Sequence, residues 1–331
     1  MSLVRTTVQE LAAAVEEPPP QYMVDEMLVA DEMPEPIPLI DLSRLTEADE
    51  ADKLRAVLQT LGIFLVATNH GIEESLMDAM MSASRDFFRQ PSEEKQKYSN
   101  LINGKHFQME GYGNDKVVNQ DQSLSWNDRL HLRVEPEDER NFAKWPTHPE
   151  SFRDLLHEYA SKTKRTRDLI LRSIAKLLDL DEDYFVNQIS NKAIGFARFN
   201  YYPPCPRPDL VLGRRPHTDG GLLTILLVDH DVGGLQVERG GKWYNVPAKP
   251  YTLVINVADC MEIMTNRIFR SPLHRVVTNA DKERLSLARF YAVDAETVLE
   301  PAPSLLDDNR PPRYGKIKAK AFVSFSRLKS S

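Results

Sequence analysis

His217-Thr218-Asp219-Gly220-Gly221-Leu222-Leu223-Thr224-Ile225-Leu226-Leu227-Val228-Asp229 joins a chemical motif to a structural one. Leu222 to Asp229 is a short apolar run set between Gly220-Gly221 and Gly233-Gly234, the pattern of a buried β-strand. Runs of the same kind surround it: Ala193–Tyr202, Leu235–Glu238, Thr252–Asp259, His274–Val277 and Arg284–Val293. Turn chemistry separates them, including Pro203-Pro204 and Gly240-Gly241. Short strands at this spacing predict a sandwich or barrel.

Before about residue 192 the pattern is helical. Leu54, Val57, Leu58 and Leu61 recur at 3–4 spacing, as do Leu76, Met77, Met80, Phe87 and Phe88. The longest predicted helix starts near Ser151, with Asp154 placed as in a capping box. Its apolar stripe is Phe152, Leu155, Leu156, Tyr159, Thr166, Leu169, Ile170, Ile174, Leu177 and Leu178. Thr7 to Val15 reads as a short helix stopped by Pro18-Pro19-Pro20, and Ile37 to Leu42 as a short edge strand. Gly62 to Val66 has strand character and runs into an Asn69-His70-Gly71 turn. Helices followed by strands imply an α+β fold, with helices packed on a β-sandwich.

The 331 residues suit one large domain or two ordinary ones, and 41% apolar with 27% charged residues supply a sizeable core. The net charge of −7 argues against broad contact with nucleic-acid phosphates. The run Leu222 to Val228 is far too short to span a bilayer. Met1 to Arg5 leads into an amphipathic stretch without a signal-peptide apolar region, and acidic residues from Glu10 to Glu32 disfavour a transit peptide. Cys205 and Cys260 are too few for a disulfide framework and read as buried, reduced thiols. A cytoplasmic protein is expected, acting as a monomer on a small-molecule substrate, without nucleic-acid or membrane partners.

His217-Thr218-Asp219 is an H-x-D; in a strand, residues two apart share a face, so imidazole and carboxylate can converge. His274 opens a later strand and offers a third ligand. Two imidazoles and a carboxylate on one face of a metal suit non-haem Fe(II) oxygenases. H-x-D alone is weak: His148-Pro149-Glu150 is a similar-looking decoy in a Pro-rich loop. The run from Arg284 strengthens the reading, because alternation puts Arg284, Ser286, Ala288 and Phe290 on one face. A guanidinium beside a hydroxyl near a metal is suited to hold a carboxylate; the bland alternative is an exposed sheet salt bridge. Alternation also aligns Phe196, Arg198, Asn200 and Tyr202, where Tyr202 either faces the metal or packs on the Pro-rich turn.

These residues resemble the plant Fe(II)- and 2-oxoglutarate-dependent dioxygenases along nearly the whole chain. The resemblance covers Ile37 to Leu42, Asn69-His70-Gly71-Ile72, Phe87-Phe88 with Pro91 and Glu94-Lys95, Glu110 to Gly113, and Trp126-x-Asp128. It continues through Asn200 to Pro206, His217-x-Asp219, Leu223 to Leu226, Gly233 to Gln236, His274 to Val276 and Arg284-x-Ser286. Within the family the sequence is most similar to the cereal branch that includes the enzyme hydroxylating triketone herbicides. The resemblance implies a double-stranded β-helix (jelly-roll) core flanked by helices. It implies a mostly helical dioxygenase region over 1–120 and a core over 121–331, its catalytic region about 192–300.

Carried over residue by residue, it implies Fe(II) held by His217, Asp219 and His274, and 2-oxoglutarate held by Arg284 and Ser286 with Tyr202 and Asn200 lining its site. O2 is the co-reactant, ascorbate the expected supporting reductant, and succinate and CO2 the products. The rival readings are an ascorbate-dependent oxidase of the same superfamily and a non-catalytic jelly-roll binding protein. Family position and strand alternation assign Phe107, Arg129, His131, Arg198, Leu223 and Phe290 to the substrate pocket. Such a pocket suits a flat molecule with an acidic enol, phenol or carboxylate, whether specialised metabolite, hormone or xenobiotic. His131 and Arg198 have plain alternatives as a surface histidine and a structural salt bridge. His70 reads as a structural turn residue and His157 as helix surface.

Two departures from the family pattern carry expectations. The Gly62–Gly71 stretch is one residue longer than usual, which predicts a β-bulge. The sequence ends soon after Arg313-Tyr314, which predicts a short or altered C-terminal helix over the pocket.

Overall fold

The computed structural model describes residues 6–25, 27–115, 123–189 and 192–322. In its front half, α1 (Val8–Ala14), α2 (Ala48–Thr60), β1 (Ile63–Val66), α3 (Glu74–Arg89) and α4 (Ser92–Gln96) precede the two-residue strands β2 (Leu101–Ile102) and β3 (His106–Phe107). Then come β4 (Gly111–Gly113), β5 (Asp128–Glu135) and the long α5 (Phe152–Leu177). The back half holds β6 (Gly195–Tyr202), β7 (Leu212–His217), β8 (Leu223–Val228), β9 (Leu235–Arg239), β10 (Lys242–Asn245) and β11 (Leu253–Val257). It closes with α6 (Asp259–Met264), β12 (His274–Val277), β13 (Arg284–Tyr291) and the short ribbon β14 (Val298–Leu299) with β15 (Ile317–Lys318).

Two antiparallel sheets form the jelly-roll. The larger runs β1-β11-β8-β13-β6-β5-β4 and the smaller β10-β9-β12-β7. The sequence pattern explains the layering. On β13, Leu285, Leu287, Arg289 and Tyr291 turn toward α5, where Arg289 Nε donates to Thr163 Oγ1 and Arg167 lies over the Tyr291 ring. Arg284, Ser286, Ala288 and Phe290 turn the other way, into a cavity. The α2 and α3 apolar positions are buried as their spacing predicts. α5 buries Phe152, Leu156, Tyr159, Ile170, Ile174 and Leu177, but Leu169 faces solvent. No helix among the described residues is long and apolar enough to cross a membrane.

Four local expectations are corrected. Ile37–Leu42 is not a strand: Leu39 makes one isolated bridge to Leu65. Asp41 then accepts from the Ser43 N–H and starts a 3-10 turn, local chemistry that competes with strand pairing. β1 has no bulge, because it pairs β11 residue for residue from Ile63 opposite Asn256 to Val66 opposite Leu253. The chain beyond it takes up length in a turn with Asn69 and Gly71 at positive φ. Ser151 already has helical dihedrals, and its side chain makes no capping bond. The H-x-D does not lie on one strand: His217 ends β7 and Asp219 follows in the turn before β8. Residues 319–322 are helical, and the chain beyond 322 lies outside the described residues, as does Met1 to Arg5.

Candidate active site

His217 reaches the site through sheet register. β7 pairs antiparallel with β12, and His217 stands directly opposite His274. Their ring centroids are 4.3 Å apart. Asp219 Oδ1 lies 3.8 Å from each imidazole Nε2. The ligand atoms of these three residues all fall within 4.8 Å of one another, a set that can hold a metal ion.

Each ligand is oriented from behind. His217 Nδ1 lies 2.8 Å from the Arg215 carbonyl and His274 Nδ1 3.1 Å from that of Pro272, which places the ring proton on Nδ1 and leaves Nε2 a lone pair. Asp219 Oδ2 accepts from Thr224 Oγ1 at 2.6 Å and from Asn256 Nδ2 at 2.9 Å, so Oδ1 is left for a metal. Burial alone would raise the Asp219 carboxyl, but His274, His217 and those two donors outweigh it and hold it below its ordinary range. Burial, then His274, pushes His217 well below the ordinary histidine value, toward the neutral form that ligates.

Beside this set stands a guanidinium with donors to spare. Arg284 is buried, and its Nε and Nη1 meet no hydrogen-bond partner among the described residues. An orphaned donor pair of this kind costs free energy unless an anion fills it. Burial lowers the Arg284 pKa, with Tyr202 and Asp229 opposing. The Tyr202 ring lies under the guanidinium at 5.1 Å, so this tyrosine lines the site and also supports Arg284. Ser286 sits two residues along the same face, and its Oγ accepts from Asn200 Nδ2 at 3.3 Å. The donor set fits a dicarboxylic 2-oxo acid, one carboxylate of which Arg284 and Ser286 would hold.

All of these side chains line one cavity of about 1200 Å³, ample for an organic molecule beside a cosubstrate. Phe107, Arg129, His131, Arg198 and Phe290 line it as expected. His131 packs against Phe196 with centroids 4.5 Å apart, and is not a surface histidine. Leu223 does not line the cavity. On β8 it opposes Tyr291 on the buried helix-facing side, and its neighbours Thr224 and Leu226 face inward instead. His70 is structural, with Nδ1 accepting from the Ile72 N–H and Nε2 near the Tyr251 carbonyl. His157 is on the exposed face of α5, and both cysteines are free and buried.

Sequence reasoning missed a second charged centre. Asp115 accepts from Arg129 Nε at 2.9 Å and from both Arg198 Nη atoms at 2.9 Å, and Arg214 Nη1 also donates to it. These four side chains all line the cavity. Arg129 and Arg198 come from the larger sheet and Arg214 from the smaller. The glycines of β4 set the approach: a Cβ on Gly111 would lie 2.4 Å from the Tyr98 carbonyl oxygen, and Gly111 has φ of +108°. The Glu110-Gly111-Tyr112-Gly113 motif was the available signal, but Arg214 lies between Gly213 and Pro216, outside every strand run the sequence showed.

Two family models match the chain: the 2OG-Fe(II) oxygenase superfamily over residues 194–293, and the non-haem dioxygenase in morphine synthesis N-terminal family over 37–150. The rice protein 2-oxoglutarate-dependent dioxygenase 11 is 36% identical over 297 residues, spanning 88% of this chain and 80% of the relative. Codeine O-demethylase from Papaver somniferum is 34% identical over 314 residues, with 89% and 86% covered. The solved structure of JOX2 in complex with 2OG, Fe and JA superposes with a TM-score of 0.89 at 34% identity, covering 97% of this chain and 93% of that one. With its jelly-roll, its two-histidine-one-carboxylate set and the unfilled donors of Arg284 beside it, this chain belongs to the plant 2-oxoglutarate- and Fe(II)-dependent dioxygenases.

Proposed function

We propose that the protein hydroxylates a small organic molecule bearing an anionic group, with 2-oxoglutarate converted to succinate and CO2. The observation that carries this reading is the convergence of His217, Asp219 and His274 with the unfilled donors of Arg284 in one cavity. In this reading His217, Asp219 and His274 hold Fe(II). Arg284 and Ser286 receive the distal carboxylate of 2-oxoglutarate, and Tyr202 and Asn200 line its site. Bound there, iron and the 2-oxo acid together supply O2 activation and the oxidising power.

The remaining work belongs to the chain's own residues. Thr224 and Asn256 aim Asp219. Phe107, Phe196, Phe290 and His131 offer flat apolar surfaces, while Arg129, Arg198 and Arg214 place positive charge opposite an anionic substituent. Relatives whose names mention JA and auxin oxidation, and codeine demethylation, support a small organic substrate. A hormone, a specialised metabolite or an acidic triketone herbicide fits the cavity's chemistry. The enzyme works as a cytoplasmic monomer, with ascorbate as supporting reductant.

A panel of aromatic and alicyclic acids, each paired with its methyl ester, tests the proposal with iron, 2-oxoglutarate and O2 supplied. The expected result is consumption of acids in preference to esters, with one succinate formed per substrate lost. Turnover that needs ascorbate but no 2-oxoglutarate would contradict it.

A further inference from the structure

The fork of Arg198, which an anionic substrate would need, is already taken. Its Nη1 and Nη2 donate to the two oxygens of Asp115, and its Nε donates to Asn200 Oδ1 at 2.6 Å. We propose that Asp115 is a self-ligand of the arginine cluster: it occupies the Arg198 fork until the anionic group of the substrate takes its place, and so determines which anions the pocket accepts. The inference rests on the reading that the substrate is anionic.

Exchange is favoured by how the four residues are anchored. Arg129 is also fixed by the Met109 carbonyl at 2.8 Å, and Arg198 by Asn200, so both guanidiniums keep partners when the carboxylate leaves. Asp115 lies past the end of β4, and its side chain is 29% exposed, against 2% for Arg129 and 12% for Arg198. The carboxylate is therefore the most solvent-accessible of these three side chains. Among these side chains three guanidiniums face one carboxylate, so a second anion is still attracted. Although burial disfavours its charge, Arg198, Arg214 and Arg129 keep Asp115 ionised, its pKa well below the ordinary range. Protonation does not release it; a competing anion can. An incoming carboxylate inherits the same charge-assisted hydrogen bonds, so its affinity is the difference between two similar ligands.

The test uses the full chain loaded with Mn(II) and saturating 2-oxoglutarate, so that the Arg284 site is filled. Phenylacetate and the uncharged phenylacetamide are titrated by calorimetry into wild type, Asp115→Asn and Asp115→Glu. Asp115→Asn is expected to bind phenylacetate at least ~10-fold more tightly than wild type, with phenylacetamide unchanged; Asp115→Glu should resemble wild type. If Asp115→Asn does not melt cooperatively, Asp115→Ser carries the same test. Equal or weaker phenylacetate binding in the neutral variant, or no preference of that variant for the acid over the amide, would overturn the proposal. Failure of wild type to bind Mn(II) and 2-oxoglutarate would instead overturn the reading of the catalytic site.

Discussion

Asp219 divides its two oxygens between two tasks, with Oδ2 tied to Thr224 and Asn256 and Oδ1 facing the imidazoles. Removing an outer partner of a metal-ligating carboxylate typically lowers metal affinity about 10–100-fold. Thr224→Val, which keeps the shape of the side chain, is therefore expected to weaken Fe(II) or Mn(II) binding by that factor while the melting temperature barely moves. Unchanged metal affinity by equilibrium dialysis would show that Thr224 does not orient the ligand. At this scale the metal set was legible in the sequence because an H-x-D followed by a later histidine opening a strand is a short, recognisable pattern. Asp115 was not legible: its partners Arg129, Arg198 and Arg214 are far apart in the chain, and a single aspartate after a glycine motif carries no periodic signal. Leu223 was misplaced by one step of the β-alternation, which is enough to move a side chain from cavity to core.

Elements arrive where they do because a few backbone positions admit only one residue type. Gly62, which leads into β1, has φ of +68°, and a Cβ there would sit 1.9 Å from the Arg270 carbonyl oxygen. Gly62→Ala is expected to cost about 2–4 kcal/mol in urea denaturation, through both the left-handed backbone and the collision with main chain. A loss below about 0.5 kcal/mol would mean that the Arg270 segment yields easily. Strand alternation on β6 and β13 was readable in the sequence because, Arg289 apart, one face is apolar against α5 and the other lines the cavity. β7 was not, since Leu212-Gly213-Arg214-Arg215-Pro216-His217 shows none of that contrast. Its place is set by pairing with β12, a long-range contact that no local pattern reveals.

Across the whole molecule, the N-terminal segment helps to enclose the cavity: Thr6, Leu11, Gln21 and Tyr22 form part of its wall. A separate apolar cluster of Val8, Tyr22, Trp126, Cys205 and Val211 holds that segment down. Asp128 anchors it further, accepting from the Val8 and Gln9 N–H groups at 2.9 and 2.8 Å. Burial pushes this carboxyl up to about 6, even though those N–H donors pull it down. A carboxyl whose folded pKa exceeds its unfolded value of about 3.9 contributes most to stability below that value. The contribution declines as pH rises toward 6 and is flat above. Wild type should therefore lose on the order of 1–3 kcal/mol relative to Asp128→Asn between about pH 4 and 7. A pH-independent difference between the two would contradict this assignment.

In the proposed site His217, Asp219 and His274 hold iron while Arg284 and Ser286 present 2-oxoglutarate to it. An anaerobic titration of metal-free protein with Fe(II), then 2-oxoglutarate, reads this directly through the visible charge-transfer absorption of an iron-chelated 2-oxo acid. A saturable band is expected in wild type, no band in His217→Ala, and at least ~10-fold more 2-oxoglutarate needed in Arg284→Ala. Iron binding with no band, or a band indifferent to both substitutions, would contradict it.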